Sequence, residues 1–172
     1  MLRAVNGHVP RLAVHVCDEA LWRPWMSLDD SAEEAWMRLE GGCYCGAVRY
    51  VAEGEPALRA QCHCRACQHV SGGAPNLFML MPADGFRYTK GAPKTYRRRD
   101  KSDAVTREFC AECGTHLITR RPGLPPVVLK IGTLDDPSLY GGAQMAIFTA
   151  EGQPFHLVAD GTPAYAGLPP RA

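Results

Sequence analysis

The chain has 172 residues, 46% of them hydrophobic, and sets 19 lysines and arginines against 18 aspartates and glutamates, for a formal charge of +1. That length buries a core without covalent staples, and the even charge excludes a protein whose main business is to coat nucleic acid or an acidic membrane. No apolar run approaches the ~20 residues of a membrane-spanning helix.

The first 37 residues read as an extension. "RLAVHVCDEA" is too short and too interrupted by His15 for a signal-peptide core, so the chain is expected to be soluble and cytoplasmic. Ser31 followed by Glu34 is a capping-box pattern that predicts a short helix over residues 31–38. Either this helical extension packs Trp22, Trp25 and Trp36 on a sheet, or it is upstream sequence the domain does not need, with Met37 as the natural start. Termini are weakly ordered unless tied down, which favours the second.

From Gly41 onward the pattern is all-β. Glycines and prolines separate short segments rich in β-branched and aromatic residues: "AVRYV", "NLFML", "GFRYT", "KTYRRR", "AVTREF", "HLIT" and "VVLKI". In "AVTREF", Val105, Arg107 and Phe109 share one side of a strand and Thr106 and Glu108 the other, as in a sheet with unlike faces. The gaps between strands are too short for crossover helices, so no parallel βαβ rhythm is expected. A domain over residues 38–168 follows, with a loose tail at 169–172.

In a reducing cytosol eight cysteines point to metal or thiol chemistry before disulfides. Seven fall into groups of two, three and two: Cys43 and Cys45; Cys62, Cys64 and Cys67; Cys110 and Cys113. Tetrahedral zinc with Zn–S near ~2.3 Å places its sulfurs about 3.8 Å apart. Cys43 and Cys45 share a strand face at i and i+2, and "CAECG" folds Cys110 and Cys113 round a turn whose Gly114 permits a positive φ. Two such pairs close a four-sulfur site and pin an early strand to a late one. The middle group keeps three thiolates, the arrangement that leaves a fourth position open at a working zinc. Two ions are expected, one structural and one functional. His63, His69 or Cys17 could instead supply a fourth ligand and close the second site; disulfides and an iron–sulfur cluster fit less well, for want of a signal peptide and of ferredoxin spacing.

Zinc on three thiolates is a weak Lewis acid, poorly suited to making hydroxide. A thiol guest suits it better, because coordination deprotonates a group whose free pKa is near ~8.5. The reaction class is addition of a small thiol to an aldehyde, or cleavage of the resulting carbon–sulfur bond. A peptide thiol carries carboxylates, for which Arg65 and the run Arg97, Arg98, Arg99 and Lys101 are candidate partners, although that run reads equally as a solvated edge strand. Ser71-Gly72-Gly73 reads as a turn more than an anion cradle, and Asp135-Asp136 as a turn or cap more than an acid–base pair.

The stretches "LEGGCYCGAVRY", "CHCRACQHVSGG", "REFCAECGTHL", "GTLDDP" and "DGTPAY" resemble, in family order, the glutathione-dependent formaldehyde-activating enzymes, grouped with centromere protein V-like domains. The resemblance implies a mainly β, Mss4-like zinc-binding fold. It also implies a structural zinc on Cys43, Cys45, Cys110 and Cys113, a second zinc on Cys62, Cys64 and Cys67, and carbon–sulfur lyase or S-(hydroxymethyl)glutathione synthase chemistry with glutathione and formaldehyde. Gln68 stands where the family often has arginine, and Ala146 where many members have histidine; both departures bear on the substrate pocket. The competing reading is a zinc-stabilised binding module that meets a protein or nucleic-acid partner through its basic edge.

Overall fold

The computed structural model describes residues 2–4 and 36–170, so the predicted helix over residues 31–38 lies outside them except for its end, where Trp36 is exposed and Arg38 opens a strand. Trp22, Trp25 and Cys17 also lie outside. The strands are β1 (Leu2–Ala4), β2 (Arg38–Gly42), β3 (Arg49–Glu53), β4 (Leu58–Cys62), β5 (Asn76–Met81) and β6 (Phe86–Lys90), then β7 (Lys94–Arg97), β8 (Thr106–Phe109), β9 (His116–Arg120), β10 (Val127–Lys130), β11 (Met145–Ile147) and β12 (Leu157–Ala159). Among the described residues there are also one α-helix, α1 (Arg65–Val70), and three short 3-10 turns. The protein is therefore mainly β, and all seven strand segments expected from composition are present.

The described residues divide into two compact units, one formed by residues 2–4, 59–78 and 141–170, the other by 36–58 and 79–140. In the second unit, β2-β3-β6 form one antiparallel sheet and β10-β9-β8-β7 run antiparallel in that order. Tyr50, Leu39, Leu117, Ile118 and Leu129 are fully buried in it. Gly41 shows why β2 ends in glycines: a Cβ there would collide with the Thr133 carbonyl oxygen and the Tyr50 hydroxyl. The Tyr50 hydroxyl donates to Thr133 Oγ1 at 2.8 Å, which in turn donates to the Lys130 carbonyl, so the glycine admits a buried, fully used hydrogen-bond chain.

The period-2 reading of β8 holds for its register, but its polar face is not the solvent face. Glu108 is buried and accepts hydrogen bonds from Tyr88 Oη at 2.8 Å and Arg120 Nε at 2.6 Å. A carboxylate pays little to leave water when two donors, one of them cationic, replace it. A bulge between Glu108 and Phe109 then resets the strand before Cys110.

In the first unit, β11 pairs parallel to β4, Met145 opposite Ala60 and Ile147 opposite Cys62, with β5 on the other side of β4 and β1 antiparallel to β12. A parallel pair was not expected, and no crossover helix makes it: β11 arrives from more than 80 residues downstream. Ala146, at the position where the resemblance led us to look for histidine, is fully buried opposite Gln61 in this pair.

Candidate metal centres

Each unit carries one cysteine cluster. In the second unit the sulfurs of Cys43, Cys45, Cys110 and Cys113 all lie within 4.8 Å of one another, with Cys43 to Cys45 at 3.5 Å and Cys45 to Cys110 at 3.7 Å. Those separations are close to the ~3.8 Å edge of a tetrahedron of sulfurs about zinc. Cys43 and Cys45 do not share a strand face as expected. β2 ends at Gly42, and the cysteines sit on a turn closed by the Gly46 N–H on the Cys43 carbonyl at 3.0 Å, Gly46 having φ +73°. The turn leaves backbone N–H groups free to face sulfur, and the Val48 N–H lies 3.2 Å from Cys43 Sγ. The second turn is built alike: the Gly114 N–H meets the Cys110 carbonyl at 3.0 Å, Gly114 has φ +74°, and Thr115 Oγ1 lies 3.2 Å from Cys113 Sγ. That hydroxyl leads the contacts that bring the Cys113 thiol down to about 5. Cys45, although helped toward the thiolate by the Ala47 backbone, is pushed up to about 12 by sharing its proton with Cys43 and Cys113. Four thiols this close cannot all ionise without a cation between them, and a divalent ion is what the donor set fits.

In the first unit the sulfurs of Cys62, Cys64 and Cys67 lie within 4.8 Å of one another, and no histidine, carboxylate or fourth thiol among the described residues joins that group. Cys62 ends β4, Cys64 stands at the N-cap of α1 with φ −63° and ψ 150°, and Cys67 lies one turn on. A strand end followed by a helical i, i+3 step is what turns C-x-C-x-x-C into a converging trio. Hydrogen bonds from Cys62 and then Cys67 hold Cys64 down to about 3, while Cys62, giving up its proton least readily beside Cys64, is raised well above the usual thiol range. Cys64 thus holds its charge while Cys62 keeps its proton, and a dication would replace that proton.

His63 does not complete the trio. It is fully buried, and its Nδ1 lies 3.1 Å from Nδ1 of His156, itself buried. His156 donates from Nε2 to the Gly73 carbonyl at 2.8 Å and accepts the Gln153 N–H on Nδ1 at 3.1 Å, so its Nδ1 carries a lone pair and His63 must supply the proton between them. Burial first, then the neighbouring His156, lowers the His63 pKa to about 4. His69 is exposed in the last turn of α1. Gly72 and Gly73 adopt φ +72° and +98°, and Ser71 Oγ donates to the Cys67 carbonyl at 2.9 Å, so this stretch serves the turn and the histidine pair. Asp135 pairs with Arg49 while Asp136 accepts from the N–H of Ser138 at 3.0 Å; the adjacent aspartates face apart.

Gln68 is the residue that spacing rules missed. It is 2% exposed, too buried to line an open pocket. Its Nε2 donates to the carbonyls of His63 at 2.6 Å and Glu151 at 2.8 Å, and its Oε1 accepts from Arg65 and from Gln153 Nε2 at 3.3 Å. Phe148, with φ +55°, turns the chain so that Glu151 reaches α1; such a conformation in a bulky residue is costly and persists only where its surroundings require it. Replacing Gln68 by leucine is expected to take its donor from the buried His63 carbonyl, leave the Glu151 carbonyl with Gln153 Nε2 at 3.4 Å, and weaken metal binding at the trio by roughly 10- to 100-fold, as loss of a supporting hydrogen-bond partner does elsewhere. Competition with a chromophoric chelator measures this, and unchanged affinity would contradict a positioning role.

The sequence profile of the glutathione-dependent formaldehyde-activating enzymes matches residues 38–151. A crystal structure of a Rhodobacter sphaeroides protein is similar with a TM-score of 0.48 and 20% identity, covering 61% of this chain and 97% of that one. None of the curated proteins compared matches the chain. No helix among the described residues is long and apolar enough to cross a membrane.

Proposed function

Because this chain belongs to the glutathione-dependent formaldehyde-activating enzyme family, we propose that it is a cytoplasmic, zinc-dependent carbon–sulfur lyase that forms or cleaves the adduct of a small thiol such as glutathione with a small aldehyde. In this reading Cys43, Cys45, Cys110 and Cys113 hold a structural zinc, and Cys62, Cys64 and Cys67 hold a second. The observation that carries it is the trio without a fourth protein donor among the described residues, set beside a quartet that needs none. Zinc held by Cys62, Cys64 and Cys67 would supply a cation that favours the thiolate form of an incoming sulfur at neutral pH.

The chain's own residues do the rest. Three sulfurs fix the position of the guest, and Gln68 keeps the arc against the turn that carries Glu151. His63, neutral and tied to His156, lies within the arc without adding charge to it. The reaction balances as an addition: the thiol's proton leaves to water, the sulfur–carbon bond forms as the carbonyl π pair moves onto oxygen, and that oxygen takes a proton back from water; cleavage runs the same steps backward. The binding-module alternative has less behind it, since Asp100 neutralises Arg98 and Arg97 is held by the Ser102 carbonyl.

The test is exchange NMR of glutathione with formaldehyde, with and without the zinc-loaded protein, together with the absorption of the cobalt-substituted form. Faster interconversion than in buffer, and a new sulfur-to-cobalt band when glutathione is added, are expected. A spectrum indifferent to glutathione and a rate equal to the uncatalysed one would sink the proposal.

A further inference from the structure

We propose that Arg65 is the anchor for a carboxylate of the incoming thiol, so that the trio selects anionic thiols over neutral ones. This rests on the reading of Cys62, Cys64 and Cys67 as a thiol-binding site. Arg65 is the cationic side chain placed between two of those cysteines, in the first turn of α1 and exposed.

Its guanidinium is aimed. Nη1 donates to Oε1 of Gln68, and that oxygen belongs to an amide which is buried and fixed by two backbone carbonyls. A guanidinium held at one corner keeps its other N–H groups in a set plane, and it therefore loses less freedom when it meets a second planar acceptor.

Its charge is also unspent. Arg38, Arg49, Arg87, Arg98 and Arg120 each pair with a carboxylate, whereas no ion pair to Arg65 is present among the described residues. The carboxylate that comes nearest in its interactions, Glu151, accepts the backbone N–H of Arg65 at 2.7 Å. It caps the helix start and leaves the guanidinium for an outside partner. A thiol whose carboxylate lies a few bonds from its sulfur matches a cation carried on the residue that follows Cys64 in the chain.

The experiment uses the zinc- and cobalt-loaded full chain and two thiols of nearly equal shape, 3-mercaptopropionate and 3-mercaptopropionamide. Wild type is expected to bind the acid roughly tenfold more tightly than the amide, the ratio that about 1.4 kcal/mol of charge-assisted pairing supplies, and to lose that preference in high salt. Arg65→Gln should bring the two affinities together by weakening the acid alone, and Arg65→Lys should keep part of the preference. The amide's affinity, unchanged across the variants, reports that the trio is intact. An acid-to-amide ratio in Arg65→Gln equal to that of wild type overturns the assignment while leaving the thiol site standing. Failure of both thiols to bind wild type overturns the thiol-site reading and this inference with it.

Discussion

Cys110→Ser is expected to unfold the second unit at room temperature, with loss of its cooperative thermal transition by circular dichroism. Structural zinc contributes apparent folding free energies of about 10–16 kcal/mol in small zinc domains, against a net stability of about 5–15 kcal/mol for an ordinary domain. Loss of the ion through loss of one of its four sulfurs would therefore remove a contribution comparable to the whole reserve. The cost falls on one joint: the turn after β2 and the turn after β8 are brought together from positions 65 residues apart by these sulfurs, with the Tyr44 N–H on Thr115 Oγ1 at 3.1 Å as a further tie. Cys110 is itself 1% exposed, so a serine hydroxyl there has no water to turn to. Two companion measurements separate metal loss from local polarity. Excess chelator should bring wild type to the same melting curve as the variant, and Cys113→His, at the surface and still able to ligate, should recover much of the stability. A Cys110→Ser variant melting within about 3 °C of wild type would show that the quartet holds no structural ion.

Much of this arrangement could be read before the structure was in view, and the reasons differ from part to part. Strands such as β5 and β10 announce themselves because consecutive β-branched and long apolar side chains have few other uses. The partition of cysteines was legible because sulfurs gathered at two- and three-residue spacing serve little purpose in a core of this size. By contrast β2 hides behind two glycines, Gly41 required by the distant Tyr50 and Thr133 and Gly42 by the close approach of Val48 and Arg49. β4 and the three-residue β11 hide because their stability comes from pairing with each other across the chain, which local pattern does not encode. α1, at six residues, is too short to show a period. The support given by His156 escaped, and Gln68 was read as a departure bearing on the pocket and not as a support, for another reason: at least half of their partners are backbone groups, and every residue of a sequence carries those.

Cys64→Ser tests the other half of the molecule, and its expected effect is confined to function. Metal content should fall from two ions per chain to one, glutathione should no longer perturb the cobalt spectrum, and adduct interconversion should drop to the rate in buffer. The fold should persist, because what Cys64 does for the backbone does not need its sulfur: its carbonyl accepts the N–H groups of Cys67 at 2.9 Å and Gln68 at 3.0 Å, and serine is among the preferred N-cap residues. What serine cannot replace is the thiolate. Cys64 is the member of the trio whose ionised form the other two stabilise, whereas a hydroxyl stays protonated at neutral pH and offers a divalent soft-ligand site no charge. Elemental analysis with a melting curve on the same sample decides the matter. Two ions retained in Cys64→Ser would place the second metal elsewhere. One ion with a collapsed melting curve would make the trio a structural site, and the open coordination position on which the proposed chemistry depends would be gone.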